Sequence, residues 1–574
     1  MNPNVENVFS YNQITLDQSR SGFDLSHDVL TTWKNGDLIP IGEPVEVLAG
    51  DTFDVNINAI IRMTTPIFPV MGNAYFDFYA FFVPGRLVWD HWEEFHGANK
   101  LTAWEPTTQY TIPLINAPSG GWTEGTIADY FGIPTKVGNI AVNALPFRAY
   151  TLIWNEWFRD ETRKDRSMIH KDEVTRTGVN TGTYTTDAEL GGLPLKVARF
   201  HDLFSTTLRR PQRGPEVFIP LGGLSGIAPV TTKSGRNYQI NVSKGLTWIA
   251  TGNSPVTPLD DSKKYKLETT HQNVYSTGIQ TTMGSVSTDT LTSSSMGPSN
   301  LWANLRSANA SYNSTINELR EAFAIQRYYE AMARAGGGRF TEIIYRMFGV
   351  KSPDARLQRP EYIGALRQPI NIQAVLQTSS TDSVSPQGNV AANSMSVIAN
   401  EHIGTYSATE PGYLIFLGAC RTDHSYQQGL SQVWNRRTKF DIYWPQLANI
   451  GETAVLNKRI YAQGSSVVDT DGNIIDDQVF GYQEAWAEYR YLNNTVHGDF
   501  RSNATGSLDS WHYADYYTSL PIGVSDSWID EPYTNVARTL AVQTGPQFIG
   551  DFYFDMKAYR PMPVESIPGL IDHH

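Results

Sequence analysis

The sequence predicts a mainly β fold, an antiparallel sandwich with long loop insertions and a few helices. Three observations carry this prediction. The 46 glycines and 31 prolines are spread along the 574 residues rather than gathered into linkers, so turns recur throughout, as in a chain of many short strands. The aromatic run IIRMTTPIFPVMGNAYFDFYAFFVPGRLVWDHWEEFH at 60–96 is broken by Pro66, Pro69, Gly72 and Pro84. Proline removes a helical donor and clashes with the preceding turn, which leaves only short extended pieces there. The other strong strand patterns lie far away, at 413–420 and 548–559, and distant partners are the habit of Greek-key sandwiches.

Taken in order, the first forty residues are mixed polar sequence with scattered aromatics and read as an extended arm. Regular strands are expected from about Val45, where Val45, Val47, Phe53, Val55, Ile57, Ile60 and Ile61 form two runs around an Ala49-Gly50-Asp51 turn. The stretch 73–83 is the next strand. Phe76, Phe78 and Ala80 alternate with Asp77, Tyr79 and Phe81, and aromatics on both faces suit a strand that is covered twice. Helices are expected at 147–159 and from Thr315 onward. Thr315 is an N-cap with Glu318 three residues on, and the run ends at Gly336-Gly337-Gly338. Leu319, Ala322, Phe323, Tyr329 and Ala333 share one face of that helix, expected to be core, with an interaction stripe as the alternative. Further strands are expected at 413–420, 438–444, 455–468 and 548–559.

Length alone would allow three or four domains at about 150 residues each, but no linker divides the chain, so a single domain over 1–574 is expected. With 40% hydrophobic and 18% charged residues, the chain has apolar surface for a large core and for contacts between subunits. The balance of 45 basic to 58 acidic residues, a net charge of -13, argues against coating nucleic acid through global charge, and isolated subunits are expected to bind it weakly. Cys420 is the single cysteine. It cannot form an intrachain disulfide, reads as a buried strand residue, and is compatible with a reducing compartment. The start MNPNVENVFS lacks the basic and apolar regions of a leader, and no apolar run reaches membrane-span length.

Sites of chemistry are few. Asp469-Thr470-Asp471-Gly472-Asn473 resembles a calcium loop, but glycine stands fourth and Phe480 occupies the twelfth position, so a hairpin with Asp471-Gly472 at its tip is the better reading. Asp90, Glu93 and Glu94 beside His91 and His96 match no ligand spacing. With Trp89 and Trp92 among them they read as packing with charges turned outward. No phosphate loop or nucleophile elbow is present, and no catalytic residue, cofactor or metal is expected. The remaining signals are basic clusters: Arg209, Arg210 and Arg213 in LRRPQRG, Arg436 and Arg437 in WNRRTKF, and nine basic against six acidic residues over 318–367. Each is an ion-pair or interface residue, or a contact to phosphates.

One stretch differs in kind. Residues 276–299 hold 13 serines and threonines in 24 positions, with Asp289 the one charge. Such a segment cannot make its own core and is a flexible surface loop or an exposed recognition loop.

Several segments, in order, resemble one family: SGFDLSHDVLTTWKNGDLIPI, IIRMTTPIFPVM, FFVPGRLVWDHWEEF, FHDLFSTTLRRPQRGPEVFIPLGG, FTEIIYRMFGVKSPDARLQRPEYIG, YQEAWAEYRYLNNTVHGDFR and the terminal RPMPVESIPGLIDHH. They resemble the major capsid protein of the gokushovirus branch of the microviruses, small tailless icosahedral phages with single-stranded DNA. The likeness covers most of the chain outside 227–313. It implies an eight-stranded antiparallel jelly roll, a viral β-sandwich, with extended terminal arms and an exposed insertion at 227–313. It further implies a T=1 shell of copies of this chain around a circular single-stranded DNA genome, assembled in the bacterial cytoplasm. Scaffolding, pilot and small basic DNA-binding phage proteins and a host-surface receptor would be partners, without membrane insertion. On this resemblance Arg209, Arg210, Arg213, Arg436 and Arg437 are candidate DNA contacts, and Trp248, Tyr265, Tyr275, Ser285 and Thr288 are candidates for host attachment. The rival reading is a carbohydrate-active jelly-roll protein, glycan-binding or glycosidase, which a monomeric state with glycosidase activity would favour.

Overall fold

The computed structural model describes residues 20–98, 108–218, 316–334, 338–370, 395–523 and 525–565, together with the backbone of short strands at 230–232, 246–250, 265–269, 301–303, 374–376 and 390–393. The chain forms two compact units, one of Met1–Gly214 with Tyr328–His574 and the other of Pro215–Arg327.

The first unit is built on ten strands: β1 (Ser21–Asp24), β2 (His27–Trp33), β3 (Ile39–Pro40), β4 (Val45–Val47), β5 (Thr52–Met63), β6 (Ala74–Pro84), β7 (Glu361–Ile370), β8 (Ser396–Ser407), β9 (Gly412–Thr422) and β10 (Phe548–Arg560). One sheet places β10 between the β1–β2 pair and β5, with β8 at the far edge. The other runs β7, β6, β9, with β3 and β4 sharing the edge beside β9. All these pairings are antiparallel. With β1–β2 and β3–β4 each counted as one broken strand, both sheets are four strands wide. From β2 onward the chain changes sheet at each connection except β6 to β7, which are neighbours. This is an eight-stranded jelly roll.

Strand alternation builds the sandwich core. Along β5 every second residue is buried: Phe53, Val55, Ile57, Ala59, Ile61 and Met63. They meet Phe552, Phe554 and Met556 of β10 and Phe76, Phe78 and Phe82 of β6 in one cluster, as side chains of facing sheets must when their inner faces interdigitate. The second sheet is buried on its outer face too. There Phe81 and Val83 of β6 and Tyr413, Ile415 and Leu417 of β9 pack against α1 (Leu145–Ile153) in a second cluster. That second layer is why both faces of 73–83 carry aromatics. Cys420 is fully buried in β9 and accepts a hydrogen bond from Trp33 Nε1 at 3.2 Å.

Two long excursions leave this frame. Residues 85–360 join β6 to β7 and carry α1, the second unit and helices α2 (Ile316–Ala333) and α3 (Phe340–Phe348). Residues 423–547 join β9 to β10 and form, with part of the first excursion, a lobe around Leu203, Phe204, Tyr426, Val455, Ile460 and Phe480.

Several expectations need correcting. Among the described residues, strands begin at Ser21, not near Val45. Residues 21–33 are no arm, because β1 and β2 pair along β10 over its length, and their modest sequence signal is overridden by a partner more than 500 residues away. Residues 438–444 are not a strand. Thr438 and Asp441 close a capping box around a 3-10 turn at Lys439–Asp441, so local side-chain bonds outcompete a sheet. Over 455–468 the strand ends at Leu456, and a 3-10 turn at Asn457–Arg459 follows. The apolar face expected on α2 is not a core face, since Ala322 is its one buried residue and Phe323 is 64% exposed. Helical periodicity shows which side chains are aligned, not whether a layer covers them. The N-cap Thr315, the first 19 residues and the last nine lie outside the described residues.

Candidate nucleic-acid interface

The basic segment 209–213 is anchored by its neighbours. Leu208 exchanges both backbone hydrogen bonds with Tyr482, at 2.6 and 2.9 Å, on the hairpin formed by Glu452–Leu456 and Val479–Glu484. Arg209 and Arg210 follow at once and are exposed, with no carboxylate partner among the described residues. Arg213 is half-buried beside the backbone of Gly338. The structure brings Arg436 and Arg437 to the same lobe. Arg436 is 3.6 Å from Glu488 and lies 4.5 Å above the Tyr489 ring. Arg437 is exposed, and its backbone amide donates to Asp441.

Aromatics surround this second pair. Trp434 is 75% exposed, and Phe440, Tyr443 and Trp444 are also exposed. Tyr443 stands 5.8 Å from Trp486 and 6.2 Å from Tyr489, ring to ring, and Leu492 is 96% exposed. Exposed cations among exposed aromatics can hold phosphates and stack unpaired bases without reading sequence. The same composition also marks the anchors of protein–protein contacts.

Other basic residues are spoken for. Arg334 reaches Glu452 at 2.5 Å, Arg339 reaches Glu161 at 2.5 Å, and Arg359 is 3.2 Å from Asp354. The local excess over 318–367 is therefore partly structural. Asp77, buried in β6, holds two guanidinium groups: Arg367 donates at 2.6 and 3.1 Å, and Arg421 donates from Nε at 3.0 Å. Sequence reasoning missed this cation-rich triad because its members lie 290 and 344 residues from Asp77. The available signal was a lone acid in an aromatic strand.

The loop at Asp469 is a hairpin, as expected. Val468 and Ile474 form an antiparallel bridge, and Gly472 takes a φ of +82° at the tip that favours glycine. The Asp469 carboxylate accepts from the amides of Asp471 and Asn473 at 2.9 Å and from Gln478 Nε2 at 2.6 Å. Among the described residues no group of three acidic, histidine or cysteine side chains could hold a metal. Trp89 is buried and Asp90 exposed, while His91 sits 3.1 Å from Glu173 and stacks on Tyr110 at 4.2 Å, a packed corner. No described helix is long and apolar enough to cross a membrane.

In the second unit, Trp248 lies on Leu246–Ala250, which pairs antiparallel with Tyr265–Thr269. Trp248 stands opposite Leu267, and Ala250 opposite Tyr265. Tyr275, Ser285 and Thr288 lie outside the described residues. The unit Pro215–Arg327 contains the whole span 227–313.

Comparison with known proteins gives a consistent picture. A family model described as "Capsid protein (F protein)" matches residues 13–570. The chain is 38% identical over 580 residues to the capsid protein VP1 of Chlamydia phage 1, covering 96% of each chain. It is 39% identical over 563 residues to VP1 of Spiroplasma virus 4, covering 96% of this chain and 95% of that one. It is 39% identical over 570 residues to VP1 of Bdellovibrio phage phiMH2K, covering 98% of each.

Proposed function

Because the chain belongs to the capsid protein (F protein) family, we propose that it is the major capsid subunit of a gokushovirus-like bacteriophage. It self-assembles into a T=1 icosahedral shell around a circular single-stranded DNA genome and is a structural protein rather than an enzyme. It is made and assembled in the host cytoplasm and resides in the virion. Scaffolding, pilot and small basic DNA-binding proteins are its phage partners, and a host-surface receptor is its external one.

The observation that carries the assembly reading is the set of exposed large apolar side chains on the 423–547 lobe. Trp434, Phe440, Tyr443, Trp444 and Leu492 are all open to solvent on a subunit whose sandwich is fully packed. Soluble monomers rarely expose large apolar patches, and closed symmetric shells require several such faces per subunit. Trp434→Asp is expected to leave subunit folding within about 0.5 kcal/mol of the parent, as for most surface changes, yet to abolish closed particles. Electron microscopy of the purified proteins checks this; closed shells from the variant would remove the patch from the subunit contact. Within this reading Arg436, held between Glu488 and Tyr489, belongs to the contact. Arg209, Arg210 and Arg437 are free to meet phosphates, with Arg213 beside them.

The insertion at 227–313 is assigned to host attachment, with Trp248, Tyr265, Tyr275, Ser285 and Thr288 as the contacting side chains. Polar sequence of this kind supports no shell core. Replacing 276–299 by a short Gly/Ser link changes loop-closure entropy only slightly, about 0.6 kcal/mol per halving of length. Particle yield should be unchanged and adsorption to host cells should fall. Failed assembly would give the segment a role between subunits, and unchanged adsorption would place the receptor site elsewhere.

A further inference from the structure

The outer face of the β6–β9 sheet carries a cavity of about 320 Å³. Its walls are Tyr79 and Phe81 of β6, Tyr362 of β7, and Trp157 and Phe158 from the chain just after α1. These rings form one connected set. Phe81 is 5.4 Å from Trp157 and 5.8 Å from Tyr362, and Tyr79 meets Phe158 edge-on at 4.9 Å. Trp157 and Phe158 lie in a π-helical turn, Trp154–Phe158. Such turns are rare and cluster at functional sites, because the extra residue re-aims the side chains that follow.

The polar lining includes Arg199, Arg421 and His201. Arg421 is held by Asp77 and donates to the Tyr79 hydroxyl at 3.0 Å. Arg367 shares Asp77 as well, so this triad carries an excess positive charge. Arg199 is buried, with Nη1 on Asp515 at 2.9 Å. The cavity thus offers flat aromatic walls and local positive charge in a volume at the lower end of small-ligand sites. A basic or aliphatic peptide would not complement that charge. A planar group bearing acceptor oxygens satisfies both features.

We propose that this cavity is a nucleotide subsite: one base of a single strand stacks on the aromatic wall and presents a carbonyl or phosphate oxygen to Arg421. The inference rests on the reading of the chain as a shell around single-stranded DNA, and it adds a discrete base pocket to the surface arginines. Stacking of this kind is sequence-tolerant, because every base offers a π-face.

The test uses the full-length protein and an oligothymidine carrying 5-iododeoxyuridine, irradiated in the long ultraviolet and mapped by mass spectrometry. Adducts are expected on the peptides bearing Tyr79–Phe81, Trp157–Phe158 or Tyr362, and excess dTMP should suppress them while the same concentration of inorganic phosphate should not. Tyr362→Ala, a change at the partly exposed mouth that spares the core, should lower their yield about tenfold, within the range for loss of one base–aromatic stack. Adducts confined to 209–213 or 434–444, adducts that resist dTMP, or no adduct at all would each overturn the subsite. The shell reading fails separately, by the absence of closed particles in the microscope.

Discussion

Phe78→Asp is expected to yield no folded subunit and no particles. Phe78 is fully buried in β6, 5.9 Å from the Phe416 ring and 6.0 Å from that of Phe554, so it ties its own strand to the neighbour in its sheet and to the facing sheet. Removing a buried phenylalanine costs about 3–5 kcal/mol in lost burial and cavity. An uncompensated carboxylate adds several more, or stays protonated and still lacks partners. Against a typical total stability of about 5–15 kcal/mol, the sum is lethal to the fold. Phe81→Asp strikes the other face of the same strand, where Phe81 packs against Trp157 and Tyr362, and should also prevent assembly. Soluble expression, circular dichroism and microscopy read the result; intact shells from both variants would show that β6 is not the doubly covered strand described above.

The second large effect is expected at His424, just beyond β9. Its Nε2 lies 2.8 Å from Glu531 and its Nδ1 3.2 Å from Asp515, both carboxylates buried. Arg199 reaches Asp515 at 2.9 Å, and Asn35 and the Thr422 hydroxyl donate to Glu531 at 2.8 and 2.7 Å. Two cations thus face two anions in the interior. Burial by itself would discharge the imidazole, but Glu531 and Asp515 outweigh it and raise its pKa to about 10. Burial likewise opposes ionisation of the two carboxylates, but Arg199 and His424 hold Asp515, and His424 with the Thr422 donors holds Glu531, below the usual range.

The pH dependence follows from these directions. A histidine whose pKa is raised on folding contributes stability fully below its unfolded value, near 6.5, and loses it as pH rises through about 10. The depressed carboxylates lose theirs only on acidification below the ordinary carboxylate range. Unfolding midpoints in denaturant should therefore fall between about pH 6.5 and 10 in the parent chain. His424→Gln should remove that alkaline slope and lower stability by about 3–5 kcal/mol, the usual cost of stranding a buried charge. A variant that keeps the parent's alkaline profile would show that the imidazole is neutral in the fold. The network joins a residue after β2, the turn after β9, the 85–360 excursion and the 423–547 lobe, so its loss should loosen the insertions from the sandwich.

Much of the sandwich was legible in the chain. Strands at 74–84, 412–422 and 548–560 were visible because β-branched and aromatic residues alternate there between turn residues. The helix at 145–153 and the hairpin at Asp471-Gly472 were visible for equally local reasons. The edge strands β1 and β2 were not. Their side chains alternate between half-buried and exposed, a weak pattern that becomes a strand when β10 supplies the ladder. The false strand at 438–444 shows the converse, an apolar run whose backbone is claimed by the carboxylate of Asp441. Of the candidate DNA contacts, sequence located the arginines but not their company. The exposure of Arg209 and Arg210 and the engagement of Arg436 by Glu488 are facts of packing.

By itself, then, the sequence determined the β class, the twice-covered strand, the unpaired cysteine and, through ordered segments along the whole chain, the capsid family. These properties live in local composition, in periodicity, or in similarity that needs no coordinates. Only the tertiary structure decided which strand pairs with which, that Asp77 gathers Arg367 and Arg421, that His424 is locked between Asp515 and Glu531, and that five aromatic rings line a cavity beside Arg421. Each of these joins residues separated by about a hundred to several hundred positions, and a jelly roll makes such contacts the rule, because successive strands cross between sheets and neighbours in space are seldom neighbours in the chain.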